Sequence, residues 1–203
     1  MRRKLRRLLD RITGFSTPFF GLSWTPKEAK KNLNDPESRA KAFTLGTLLI
    51  TNINAVSEQA RQNNRIKQLW ESIRNLCDSL KIETPDIPGE RKVISGDKAL
   101  RLTMSIVQEL RQVINDEHNR EIAEAFWFGV VSMLAGQFCQ NPELISQGQP
   151  LVNEVETLAK HFNIKEADTR PYIKSLNSKD PLLVQSSILP FVTSVSEKLA
   201  QSN

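Results

Sequence analysis

Apolar residues recur every three or four positions through most of this chain, and strand-like alternation is scarce. That period predicts helices. Leu5, Leu8, Leu9 and Ile12 mark a short one over 2–12. A long stripe follows the Asp35-Pro36 pair: Ala42, Leu45, Leu49, Ile53, Val56 and Ala60, then Ile66, Leu69, Trp70, Ile73, Leu76, Cys77 and Leu80. A single helix over that stretch would be about 68 Å long. A compact chain of this size has a radius of gyration of about 17 Å. The stripe is therefore expected to break, and the polar run Arg61-Gln62-Asn63-Asn64-Arg65 is the place for it.

Residues 81–96 contain Pro85, Pro88, Gly89 and Gly96 and read as a connection. Leu100, Met104, Val107, Leu110 and Ile114 then predict a helix over 97–117 with those side chains inward. The next, over 119–138, runs apolar on nearly every side from Ala125 to Gly136. A helix with no polar face belongs in the middle of a bundle. Its Gly129, Ser132 and Gly136 are small enough for a neighbour to approach closely. Shorter helices are predicted over 26–32, 142–147, 151–162 and 169–177, and a last one over 181–201 with a bend near Pro190.

Proline punctuates these elements. Thr25, Asp35, Asn141 and Asp180 each stand directly before one. The side-chain oxygen of such a residue accepts from an orphan amide, and proline at the first helical position loses no hydrogen bond. The pattern as a whole predicts an all-α bundle of roughly seven to nine helices. Its central apolar helix lies near 125–138. A single helical domain over 26–203 follows a basic arm and an aromatic segment over 1–25.

Charge changes this picture at one end only. Residues 1–12 carry Arg2, Arg3, Lys4, Arg6, Arg7 and Arg11 against Asp10, a surplus equal to the +5 of the whole chain. The other 22 basic and 22 acidic side chains balance. The sequence pI of about 9.3 therefore belongs to the arm and not to the body. Behind the arm, Phe15, Phe19, Phe20 and Trp24 crowd a Gly- and Pro-containing segment. Two readings fit that segment: a loop tucked into a groove of the bundle, or an apolar patch for a partner. The arm itself suits an acidic protein surface, nucleic-acid phosphates, or a peripheral contact with anionic headgroups.

No transmembrane segment is expected. The most apolar stretch, Ala125 to Phe138, falls short of the about 20 residues a span needs. The basic start is followed by Asp10-Arg11 and a turn-rich stretch, not by the apolar core of a secretory signal. Cys77 and Cys139 sit in apolar helical patterns and are expected as buried free thiols in a reducing cytoplasm.

Residues 158–174 hold the most specific string in the chain. Ala159 is small, Asn163 suits a left-handed turn, Phe162 and Ile164 flank it, and Tyr172 falls on the inner side of the second helix. This string resembles a helix-turn-helix. The resemblance implies that Lys165, Arg170 and Lys174 would face phosphates or base edges. Two residues depart from that pattern. Thr169 stands where Val or Ile is favoured, and Pro171 falls inside the second helix. Thr169 as a cap, with Pro171 in the first turn, relieves the clash and leaves a short second helix.

Catalytic and metal chemistry is thin. Arg111 stands seven residues before His118, a spacing similar to that of HEPN-type ribonucleases, a family of small α-bundles. The resemblance implies that both side chains would share one cleft. Asp116, Glu117, Glu121 and Glu124 form an acidic cluster, but no Glu-x-x-His pairs stand on two helices. The cluster reads as a solvated helix face around Arg120. No catalytic residue, metal or cofactor is assigned. The expected role is that of a non-catalytic cytoplasmic adaptor. Its partner-facing residues are Arg2, Arg3, Lys4, Arg6, Arg7, Arg11, Phe19, Phe20 and Trp24. A nucleic-acid-binding protein using the arm and the 158–174 corner is the alternative, and an HEPN-like ribonuclease the third.

Overall fold

Asp35 starts the first helix in the way its position before Pro36 predicts. Its carboxylate accepts from Ser38 N at 2.9 Å and from Ser38 Oγ at 2.5 Å. Pro36 fills the first helical position, where no N–H is needed. Asp180 repeats the device before Pro181, accepting from Leu182 N at 2.9 Å.

The computed structural model describes residues 24, 35–53, 64–82, 101, 104–110, 114, 119–141, 143–178 and 180–201, with 52–53 and 64–67 by backbone only. Among them are seven helices and no strand. The helices are α1 (Pro36–Ile53), α2 (Asn64–Ser79), α3 (104–110), α4 (Arg120–Cys139), α5 (Ile145–His161), α6 (Glu166–Asn177) and α7 (Pro181–Gln201). The protein is an all-α, multi-helix fold. The long stripe divides into α1 and α2, and α2 begins inside the polar run 61–65.

The apolar helix α4 is the centre. It packs on α1 along one side and α5 along another, and α1 also packs on α7. Its length and composition would allow a membrane crossing, but 83% of its apolar window is buried inside the bundle. The contact with α1 is backbone to backbone. A Cβ on Gly46 would meet the Phe126 carbonyl oxygen at under 3.0 Å, and one on Gly129 would meet that of Phe43. Gly129 thus does what its size suggests. Gly136 and Ser132 serve a different neighbour, because they admit the ring of Tyr172, whose hydroxyl donates to Ser132 O at 2.5 Å.

Aromatic rings join the remaining elements to this centre. Phe43 of α1 lies 5.1 Å from Phe128 of α4, and both meet Phe191 of α7 edge-on. Phe162, in the α5–α6 turn, stacks over Phe128 at 6.1 Å. Tyr172 of α6 stacks on Phe191 at 4.3 Å. Five rings from four helices and one turn thus share one cluster.

Two elements differ from their predicted form. The stretches 142–147 and 151–162 are one helix, α5, which runs through Pro150. Pro150 lies near the helix start, and the Ser146 carbonyl it leaves without an amide belongs to an exposed residue. In the 97–117 segment Val107, Leu110 and Ile114 face the core as expected, and Met104 does not. Ile106 and Leu110 are fully buried, whereas Met104 is 63% exposed. The last helix, α7, has the predicted bounds, with the exposed Pro190 inside it.

Candidate interaction surface

The basic residues Arg2, Arg3, Lys4, Arg6, Arg7 and Arg11, with Phe19 and Phe20, lie outside the described residues, as do Arg111 and His118. Trp24 is described, and it faces inward at 1% exposure. Its indole N–H donates to Ser79 Oγ at 2.9 Å, and its carbonyl accepts from Asn75 Nδ2 at 2.8 Å. Trp24 is thus corrected from a partner contact to a core residue. Side chain and backbone of Trp24 are both bonded to α2, and the rest of the aromatic segment lies outside the described residues.

The acidic residues of α4 are corrected in part. Glu121 bonds Arg39 of α1, itself almost buried, at 3.0 Å. Glu124 is buried, with Arg120 Nε donating to one oxygen at 2.9 Å and His161 Nε2 2.8 Å from the other. One turn on, Trp127 Nε1 donates to Glu154 of α5. Glu121 and Trp127 thus clasp the first half of α4 to α1 and α5; Glu121 remains partly solvated, as expected, whereas Glu124 does not. Sequence reasoning missed these contacts. The available signal was Glu124 itself, set between Ala123 and Ala125-Phe126 where the helix is already turning apolar on all sides. Among the described residues, no group of three or more His, Cys, Asp or Glu could hold a metal ion.

Both cysteines are buried and free. Burial pushes both thiols up from their ordinary range, and Asp78 adds to the effect at Cys77. Neither is a ready nucleophile.

The α5–α6 corner forms as its sequence suggests. Asn163 adopts φ 54°, the left-handed conformation. Ile164 N then donates back to Ala159 O at 2.8 Å and Asn163 N to Lys160 O at 3.0 Å. This closes α5 with a Schellman motif. Ala159, Phe162, Ile164 and Tyr172 are all buried. The second helix differs from expectation at its start. Thr169 is not a cap; it is buried, and its hydroxyl donates to Glu166 O at 3.3 Å. Lys165 takes the N-cap position with extended backbone, and Glu166 and Asp168 place negative charge in the first turn. The helix therefore gains a turn, reaching 12 residues, and Pro171 is interior. The Ala167 carbonyl that Pro171 leaves unbonded belongs to an exposed residue.

Lys165, Arg170 and Lys174 are all exposed, as is Lys160 at the end of α5. One acid shares their face. Arg170 donates to Glu166 Oε1 through both Nε, at 3.1 Å, and a terminal nitrogen, at 2.7 Å. Those bonds and the Arg170 charge hold the Glu166 carboxyl below its usual range, and Lys160 adds to the field. Asp168 turns the other way, accepting from Ser194 of α7 at 3.0 Å. The exposed large apolar side chains among the described residues, Met104, Leu182 and Leu183, belong to α3 and α7. Compared with protein-family models, curated proteins and solved structures, the chain has no match.

Proposed function

We propose that this chain is a non-catalytic helical adaptor that engages an acidic protein partner through the basic residues of its first twelve positions. One observation carries the reading: the whole net charge of +5 lies in residues 1–12, while the rest of the chain balances. The described polar chemistry is consistent with it. Glu121, Glu154, Asp168 and Tyr172 are each taken up by contacts between helices. The test is crosslinking in native extract followed by mass spectrometry, comparing the full chain with a variant in which Arg2, Arg3, Lys4, Arg6, Arg7 and Arg11 are glutamine. A set of acidic proteins crosslinked only by the unaltered chain is the expected result. An identical set from both chains overturns the reading.

A second reading, nucleic-acid binding through the 158–174 corner, is favoured by a specific observation. After the four-residue turn, α6 has 12 residues, long enough to lie along a groove, and Lys165, Arg170 and Lys174 are exposed on it.

A further inference from the structure

We propose that the outward face of α6, with Lys160 and Lys165 beside it, contacts the phosphate backbone of a nucleic-acid duplex, and that Glu166 is a built-in competitor for its central cation. The inference rests on nucleic-acid binding by the 158–174 corner and assigns roles within that surface.

The face is a regular stripe. Glu166, Arg170 and Lys174 are four residues apart, so they stand one above the other on the helix, about 6 Å apart per step. Ala167 and Pro171, also exposed, lie beside them and are too small to screen the charged heads. Lys165 precedes the helix, and the charge of Lys160 reaches Glu166 across the turn. Four cations and one acid thus share a surface formed by a rigid, Schellman-closed corner.

The composition of this face selects the kind of partner. Protein contacts of useful strength are built on aromatic or large apolar anchors in a desolvated centre. The exposed residues of α6 are Glu166, Ala167, Arg170, Pro171, Lys174 and Asn177, with no such anchor. A surface of exposed cations without an apolar centre suits a polyanion, whose binding is driven by release of counterions. Planar guanidinium groups bond phosphate through two N–H groups at once. Here Arg170 already spends two N–H groups on the Glu166 carboxylate. A phosphate must displace that carboxylate or share the arginine with it.

The test is fluorescence anisotropy with the full chain and a labelled duplex of about 30 base pairs, at low and moderate salt. K165Q/R170Q/K174Q is expected to weaken binding about tenfold or more and to flatten the salt dependence by about two to three phosphate contacts. E166Q is expected to tighten binding about threefold, and most of that gain should vanish when R170Q is added. The substitutions are on exposed positions, and unchanged thermal melts confirm that folding is intact. If the triple variant weakens duplex binding but E166Q leaves it unchanged, the role of Glu166 is overturned while binding by the corner stands; if the triple variant changes nothing, the corner reading falls with the inference. If the unaltered chain binds no duplex at low salt, both fall. Tighter binding of a labelled poly-glutamate peptide than of duplex, lost in the triple variant, makes the face an acidic-protein contact and also overturns the proposal.

Discussion

Lys81 and Asn163 are the two non-glycine positions with positive φ among the described residues, at 57° and 54°. They do the same job at the ends of α2 and α5. Ile82 N donates to Cys77 O at 2.9 Å, just as Ile164 N donates to Ala159 O. The left-handed conformation costs an ordinary side chain about 1 kcal/mol or more, glycine almost nothing, and asparagine an intermediate amount. Lys81→Gly should therefore stabilise the protein by about 0.5–1 kcal/mol, and Asn163→Ala should destabilise it by about 1 kcal/mol. Urea unfolding with unchanged slope will show opposite shifts of the midpoint. The two sites also differ in what the sequence reveals. Asn163 between two apolar residues announces its turn. Lys81 carries no such signal, because its conformation is imposed by burial of Ile82 on one side and Leu80 on the other.

At the scale of the element, the crossing of α1 and α4 is the most demanding contact. Each helix presents a glycine to the other's backbone, so no side chain can yield. Gly129→Ala is expected to cost more than about 3 kcal/mol, at or beyond the usual range for overpacking, because a carbonyl oxygen must move. Gly46→Ala should behave alike, and the double variant should cost less than the sum, since one displacement serves both. Thermal unfolding of the three variants checks this. The place of α4 was legible from its apolar surface, which no exposed helix tolerates. The starts of α5 and α6 were not. Pro150 and Pro171 look like boundaries in sequence. Both fall in the sixth helical position, where each lost hydrogen bond leaves a carbonyl on an exposed residue. The clasp of Glu121 was illegible for a related reason: an acid at helical spacing looks alike whether it meets water or Arg39, whereas Glu124 was marked by its apolar neighbours.

For the whole molecule, burial sets the response to alkali. Cys77 and Tyr172 are held in their protonated forms by desolvation. In the unfolded chain the thiol loses its proton near pH 9.0 and the phenol near pH 10.0. Above those values the unfolded state binds fewer protons than the folded one, so stability falls as pH rises. The slope for Cys77 alone is about 1.4 kcal/mol per pH unit above pH 9, and Tyr172 steepens it above pH 10. Below pH 8 neither group contributes a slope. Urea midpoints from pH 7.5 to 10.5 should show this, and Cys77→Ala should make the first part of the fall shallower, with Cys139, also pushed up by burial, keeping the remainder.

Trp24 has a consequence at this scale as well. It is bonded to α2 through both its side chain and its backbone, so it anchors the chain that leads back to the basic residues. Covalent geometry limits the distance from Trp24 to Arg2 to about 80 Å, and that to Arg11 to about 47 Å. Whatever the basic residues bind is leashed to the bundle at that radius. Its effective concentration at the bundle surface is then set by that covalent limit and not by bulk solution. Under such a leash, a contact on the bundle too weak to be detected alone would be occupied for much of the time.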